Sequence, residues 1–255
     1  MIVREREEHF VMIEQHQHGH LARDIMAHWK KELFPGLKWR ERVLTAIENH
    51  DIGWRAFDRQ PFFHDKKSAP FRFTDFPSLP KLILYKQGID QVEKIDTYAA
   101  MLCSNHYEQF INGNDEPKAQ QFIAEEHSRR KELSKQVEGF DWQLFEQHYA
   151  LLQLGDNFSL YCCINEPDAD KANEHLFFRN GIPSPNVLSG LPNGRFGIHF
   201  VDSRTIKVKD FPFTDSFTVQ IIQKVVSKKE IAENGLQSAY DHSANETVTL
   251  HFSCK

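Results

Sequence analysis

Residues 39–53 read WRERVLTAIENHDIG, and the interpretation of the whole chain starts from this stretch. Trp39, Val43 and Ile47 recur at the spacing of one helical face, which predicts an amphipathic helix that ends near the glycine. The pair His50-Asp51 closes that apolar face. Because neighbouring helical residues point about 100° apart, both side chains can reach one ion only near a helix end. The stretch therefore predicts a helix end that carries two metal-binding side chains.

Two other predicted helices each carry one polar residue on an apolar row. His18 lies on the row of a helix expected over residues 17–33, and Asp156 lies on the row of a helix that begins at Asp141. An unpaired carboxylate in a helical core is unstable by several kcal/mol, so such a group needs a partner. A metal ion suits imidazole and carboxylate together. We therefore expect these residues and His50-Asp51 to bind a divalent metal ion (Mn, Fe, Co, Ni or Zn).

Three further histidines are candidates for this site. His20 lies on a polar face of the first helix, so His18, which faces the core, is the better first ligand. His106 stands on an apolar row and is expected to point inward, either as a metal ligand or beside the metal. His127 lies on a charged helix face and is a poor ligand candidate. The sequence therefore favours one ion over two.

Composition and charge argue against several classes of protein. The 255 residues hold 31 Lys and Arg against 36 Asp and Glu, a net charge of -5, and no basic stripe suited to duplex nucleic acid is present. No run of about 18 apolar residues predicts a membrane span. The N-terminus has no apolar signal core, so a cytoplasmic protein is expected. The four cysteines form no CxxC pair, and neither a zinc knot nor a disulfide framework is expected.

The pattern along the chain predicts three units. Residues 1–14 form a β-hairpin, residues 15–165 form a helical domain, and residues 166–255 form a β-rich appendage. The helices of the middle unit are expected near residues 17–33, 39–52, 93–111, 116–137 and 141–163. An ordered loop rich in proline and aromatic residues is expected over 54–92, with its part Leu79–Tyr85 either helical or extended. The predicted fold class is mainly α, a helical bundle whose small C-terminal β unit can pair with the N-terminal hairpin.

The order of the polar residues resembles the signature of the HD-domain superfamily, H…HD…D. His18, His50-Asp51 and Asp156 occupy its positions, and the resemblance covers roughly residues 15–165. It implies an HD-like helical bundle and a metal-dependent phosphohydrolase. Four stretches also resemble an uncharacterised bacterial family of domains of unknown function. They are QHQHGHLA (15–22), HDIGW (50–54), YAAMLCSNHY (98–107) and LQLGDNFSL (152–160).

The residues and the resemblance together give a hypothesis of function. A metal-bound water attacks the phosphoester of a nucleotide or another small molecule, with Asp51 and His106 at the reacting centre. Arg55 and Arg59 directly follow the HD pair and are the expected cations for the phosphate.

Two alternatives remain open at this stage. Some HD-type proteins resemble di-iron oxygenases and use two extra histidines, and a non-catalytic metal-binding or ligand-binding module also fits the pattern. The expected partner is a small-molecule phosphoester rather than duplex nucleic acid or a membrane, and the sequence does not decide the oligomeric state.

Overall fold

A computed structural model describes residues 1–254 of the chain. Its α-helices are α1 (Gln15–Ala27), α2 (Arg40–Asn49), α3 (Arg55–Asp58), α4 (Ser78–Glu93), α5 (Thr97–Ile111), α6 (Pro117–Ser134), α7 (Trp142–Ile164), α8 (Lys228–Asn234) and α9 (Leu236–His242). The five helices predicted for the middle of the chain are confirmed as α1, α2, α5, α6 and α7. The side chain of Asp141 caps α7 by accepting a hydrogen bond from the backbone N–H of Leu144.

The strands come from both ends of the chain. They are β1 (Ile2–Glu5), β2 (His9–Ile13), β3 (Phe63–His64), β4 (Ala69–Pro70), β5 (Ile182–Pro183), β6 (Arg195–Phe196), β7 (Ile198–Phe200), β8 (Thr205–Val208), β9 (Phe217–Ser227) and β10 (Asn245–Ser253). Six of them form one sheet in the order β1-β2-β9-β10-β8-β7. The predicted hairpin of β1 and β2 is present, and β2 pairs antiparallel with β9. The hairpin is therefore part of the same sheet as the C-terminal strands.

The prediction of a mainly α fold, and with it an all-α class, is wrong. The structure is mixed, with 49% of its residues in helices and 18% in strands. The largest sheet joins the N-terminal hairpin to strands about 200 residues away, and β8 runs parallel to β10. Alternation in sequence reveals single strands but not their distant partners, so the size of this sheet was underestimated.

The largest hydrophobic cluster lies between the helices and the sheet. Ile13 of β2 and Phe252 of β10 belong to the same buried cluster as Leu21 of α1, Ile47 of α2 and Leu152 of α7. Because β2 leads into α1 through Glu14 alone, the sheet fixes where α1 begins. None of the helices within residues 1–254 is long and apolar enough to cross a membrane.

The prediction of a loop over residues 54–92 is wrong for much of its second half. The part Leu79–Tyr85, expected to be helical or extended, is helical, but it belongs to the longer helix α4 (Ser78–Glu93). Pro80 is the third residue of α4, and the first turn of a helix tolerates proline because its N–H groups have no partner within the helix. The first half of the segment is irregular but packed. Trp54 is buried, and its ring lies 5.7 Å from that of Phe76 and 6.2 Å from that of Tyr85.

α1 and α2 approach closely at Gly19, beside His18. A Cβ at this position would lie 2.5 Å from the backbone oxygen of Glu48. The absence of a side chain here lets the two helices bring His18 and His50 together.

Replacing Gly19 with alanine is expected to lower the free energy of unfolding by about 2 kcal/mol. Alanine favours a helix over glycine by about 1 kcal/mol, but the clash with a backbone atom is the larger effect. Gly155→Ala is the matched comparison, because its Cβ would meet only side-chain atoms of Ile47 and Met26, at 3.0 Å. Urea unfolding of both variants measures the difference. A Gly19→Ala protein as stable as the wild type would contradict this account of the helix contact.

Candidate metal centre

Four elements bring the predicted ligands to one place. His18 comes from α1, His50-Asp51 from the end of α2, His106 from α5 and Asp156 from α7. His18 and His50 are fully buried, and the side chains of Asp51 and His106 are 6% and 4% exposed. Asp156 has the most accessible side chain of the five, at 13%. The centre is therefore closed to bulk water except beside Asp156.

The distances between donor atoms fit a metal ion. His18 Nε2 lies 3.0 Å from His50 Nε2 and 3.1 Å from Asp156 Oδ1, and His50 Nε2 lies 3.4 Å from that same oxygen. Asp51 Oδ2 is 3.8 Å from His18 Nε2, and His106 Nε2 is 3.9 Å from Asp156 Oδ2. Ligand bonds of about 2.1 Å at angles near 90–110° place donor atoms roughly 3.0–3.4 Å apart. The closest three atoms are spaced as such a site requires.

The orientation of His50 is fixed by the backbone. Its Nδ1 lies 2.7 Å from the carbonyl oxygen of Ile47, and a carbonyl only accepts, so Nδ1 carries the hydrogen. In the neutral ring, Nε2 then offers a lone pair to the centre, which is the tautomer that binds metals. The Nε2 atoms of His18 and His50 face each other, so their 3.0 Å contact calls for a proton or a cation between them.

Three buried polar atoms of the five side chains have no hydrogen-bond partner. They are His18 Nδ1, Asp51 Oδ1 and His106 Nε2. Leaving a buried donor or acceptor unsatisfied is unfavourable by about 1–3 kcal/mol, so such atoms in a native protein indicate a missing partner. Of these three, Asp51 Oδ1 and His106 Nε2 are good metal ligands, whereas His18 faces the centre through Nε2. The buried His and Asp groups could therefore hold a metal ion, with His106 as a member of the set.

In the metal-free centre, the surroundings raise the pKa of His50 and Asp51 and lower that of Asp156. Burial opposes protonation of His50, but the hydrogen bond with Asp156 and the charges of both carboxylates outweigh it and raise the pKa to about 9. Burial would raise the pKa of Asp156, yet the hydrogen bonds from His18 and His50 hold it well below its ordinary value. Burial raises the pKa of Asp51. A proton on His50 thus supplies part of the positive charge that a bound cation would provide.

The pKa of His106 moves in the opposite direction. Burial, reinforced by the charge of His50, lowers it to about 3. The ring is therefore neutral at physiological pH, as a metal-binding imidazole must be.

Other residues proposed from the sequence lie away from the centre. Arg55 and Arg59 are exposed, and the groups they influence include His16 at the start of α1. His20 is half exposed and pairs with Glu48 at 3.0 Å. His127 is 60% exposed and lies 2.8 Å from Glu108. The structure thus brings together the five expected ligands but does not bring the two arginines to them.

Two residues near the centre were not anticipated from the sequence. Gln15 is buried, and its Nε2 donates a hydrogen bond to Asp51 Oδ2 at 2.8 Å. Gln15 precedes His18 by three residues, so both lie on the same helical face. This spacing could have identified Gln15 from the sequence. Lys81 of α4 is half buried and close enough to Asp51 for the carboxylate to act on its charge. Lys81 lies on the face of α4 that includes Leu84 and Tyr85, but the sequence alone does not determine the length of this helix or its contact with the centre.

A comparison with protein families gives one match. The model of the family described as "Protein of unknown function (DUF3891)" matches residues 1–228. The chain belongs to this family. The DUF3891 match includes all five residues of the centre and ends just after β9, so α9 and β10 lie outside it. No curated protein and no solved structure matches the chain.

Proposed function

We propose that this protein is a metal-dependent phosphohydrolase with a centre of the HD type, acting on a nucleotide or another small phosphoester. The observation that carries the proposal is the convergence of His18, His50, Asp51 and Asp156 in the order H…HD…D. Ligand atoms of His18, His50 and Asp51 lie within 4.8 Å of one another, and so do those of His50, His106 and Asp156, so that His50 links the two groups. Two imidazoles and two carboxylates leave positions open on an ion that prefers five or six ligands.

The roles of the side chains follow from their surroundings. A divalent ion held there would lower the pKa of a bound water to near 7 and would neutralise charge on a phosphoryl oxygen. With a pKa of about 3, His106 is a poor proton acceptor at neutral pH. We therefore assign His106 to hold the ion or to hydrogen-bond a group bound to it, rather than to act as the general base. Asp51, whose pKa is raised by burial, remains an acceptor for a proton of the water.

Lys81 supports a phosphate substrate better than Arg55 or Arg59 does. It makes no hydrogen bond or ion pair with any residue in the range 1–254 that the structure describes. Burial lowers its pKa, although the charges of Asp75 and Asp51 favour its protonated form. A half-buried cation without a bonded partner beside a metal centre suits an anionic substrate group.

Lys81→Ala is expected to raise KM for a phosphoester by roughly 10-fold or more, because a hydrogen bond to a charged group contributes about 1.5–3 kcal/mol. Lys86→Ala is the matched control on the same helix. Lys86 is half exposed and already pairs with Glu125 at 3.2 Å, so its removal should leave KM within about twofold of the wild type.

The test of the function is phosphate release by metal-loaded protein. The substrates are 4-nitrophenyl phosphate, bis(4-nitrophenyl) phosphate and a panel of nucleoside mono-, di- and triphosphates. We expect release from at least one class, and loss of that release in Asp51→Ala. Metal-loaded protein that releases phosphate or nitrophenol from none of them would overturn the proposal.

The di-iron oxygenase is less well supported by this geometry. It needs a sixth ligand, and His127 is engaged by Glu108 on the exposed side of α6. Two irons per chain in the purified protein would nevertheless favour the oxygenase over the phosphohydrolase.

A further inference from the structure

Two carboxylates, those of Asp51 and Asp58, bind Gln15, one through its side chain and the other through its backbone N–H. Its side-chain Nε2 donates to Asp51 Oδ2 at 2.8 Å, and its backbone N–H donates to Asp58 Oδ2. It is the first residue of α1, where the preceding Glu14 provides no side-chain cap. Asp58, from α3, takes the place of that cap by accepting a helix N–H that would otherwise have no partner. The position of Gln15 is therefore fixed before its side chain reaches the metal centre.

The amide of Gln15 can have only one orientation. The Asp51 carboxylate accepts hydrogen bonds, so the NH₂ group must face it and the carbonyl oxygen must point elsewhere. That oxygen, Oε1, is buried and has no hydrogen-bond partner, and the residue as a whole is 2% exposed. Because Oε1 and Nε2 belong to one amide group, the unsatisfied acceptor lies beside the carboxylate of a metal-binding residue.

A purely structural role does not account for this amide. A buried acceptor without a donor is unfavourable by about 1–3 kcal/mol, whereas an apolar side chain of the same shape would avoid that loss. Gln17, two residues later on the same helix, is only partly buried and lies away from the centre, near Glu14 and Tyr240. Of these two glutamines, Gln15 is the one that combines a bond to Asp51 with an unpaired buried oxygen.

We propose that Gln15 is a positioning residue of the metal centre, which orients the Asp51 carboxylate through Nε2 and accepts a hydrogen bond from bound water through Oε1. This inference rests on the metal centre of the proposed function, but not on the identity of the substrate. The bond is to Oδ2, the oxygen of Asp51 that lies 3.8 Å from His18 Nε2 and 4.0 Å from His50 Nε2, so it fixes the orientation of the carboxylate toward the two histidines. Residues that hydrogen-bond metal ligands typically change metal affinity by 10–100-fold when they are replaced.

The test compares Gln15→Met with Gln17→Met. Methionine keeps the length of the side chain and removes both polar atoms, so the two variants differ only in which glutamine is lost. Competition with a chromophoric chelator gives the affinity for Mn²⁺, Zn²⁺ and Co²⁺. The visible spectrum of the Co²⁺ protein reports the coordination geometry, which a change in stability alone would not alter.

We expect Gln15→Met to bind each ion 10–100-fold more weakly and to shift the Co²⁺ spectrum, while Gln17→Met stays within about twofold of the wild type and keeps its spectrum. Far-ultraviolet circular dichroism of the metal-free proteins establishes that both variants are folded. If Gln15→Met does not fold, Gln15→Asn, which keeps the amide but shortens its reach, is measured in the same way, with the same weaker binding expected.

The outcomes separate this inference from the proposed function. A wild-type protein that binds none of the three ions would overturn both. If the wild type binds and Gln15→Met retains the same affinity and spectrum, the role of Gln15 is overturned and the metal centre stands. Equal losses in Gln15→Met and Gln17→Met would also overturn the role, because they would show a general effect on α1.

Discussion

Asp51→Ala is expected to weaken divalent metal binding by at least about 100-fold, since loss of a direct ligand should exceed the 10–100-fold effect of losing a residue that supports one. Asp51 lies in the turn between α2 and α3, and its Oδ1 has no other partner in the chain that the structure describes. The affinity is measured by chelator competition. Removal of one carboxylate from the set also leaves the centre with less negative charge to offset that of the cation.

The fold of Asp51→Ala should survive the change. Burial raises the pKa of Asp51, so in the metal-free protein its charged form is desolvated and contributes little to stability. The unfolding midpoint of the metal-free variant should therefore stay within a few degrees of the wild type. His127→Ala is the control, because His127 is exposed and pairs with Glu108 rather than with the centre. Stoichiometric metal retained by Asp51→Ala would refute the assignment of this residue as a ligand.

The metal-free protein is expected to lose about 3 kcal/mol of unfolding free energy as pH rises from about 6.5 to 9. The pKa of His50 is raised from its ordinary 6.5 to about 9 in the folded chain. A raised pKa means that the folded state holds the proton more tightly than the unfolded state does. The resulting stabilisation is complete below about pH 6.5 and is lost as pH rises through the folded value.

Urea unfolding in the presence of a chelator, at pH 6.5 and pH 9, measures this loss. His50→Gln should show a much weaker dependence over the same interval. The bound ion should reverse the trend, because it replaces the proton on His50, and metal affinity should rise by up to tenfold per pH unit for each proton displaced. A metal-free wild type whose stability does not change between the two pH values would contradict the assigned charge state of His50.

The residues of the centre could be predicted because the position of a residue in the helical period determines whether its side chain points toward the core. His18 and Asp156 stand on apolar rows, and an amphipathic helix turns such rows toward the core. Their convergence with His50 then follows from the packing of α1, α2 and α7. Gln15 was missed because it begins the helix, where the apolar row is not yet established.

The sheet and α4 could not be predicted in the same way. The pairing of the N-terminal hairpin with the C-terminal strands is predicted and confirmed, but the parallel pairing of β8 with β10 and the extent of the six-stranded sheet depend on contacts between distant parts of the chain. Local alternation does not encode such pairs, and it therefore predicts only a small β unit. For Leu79–Tyr85 the sequence leaves a helix and an extended segment open, because its prolines favour a loop, although Pro80 in the first turn of α4 is compatible with a helix. The sequence gives no sign that this segment faces the centre, so it favours Arg55 and Arg59 over Lys81 as the cations.

The central claim is that His18, His50, Asp51, His106 and Asp156 form a metal centre, and elemental analysis of the purified protein tests it most directly. The protein is prepared without a histidine tag, so that every bound ion belongs to the chain itself. The account predicts about one divalent ion per chain in the wild type and less than one tenth of that in Asp51→Ala. A wild-type protein with no bound metal, even after incubation with Mn²⁺, Zn²⁺ or Fe²⁺, would contradict it.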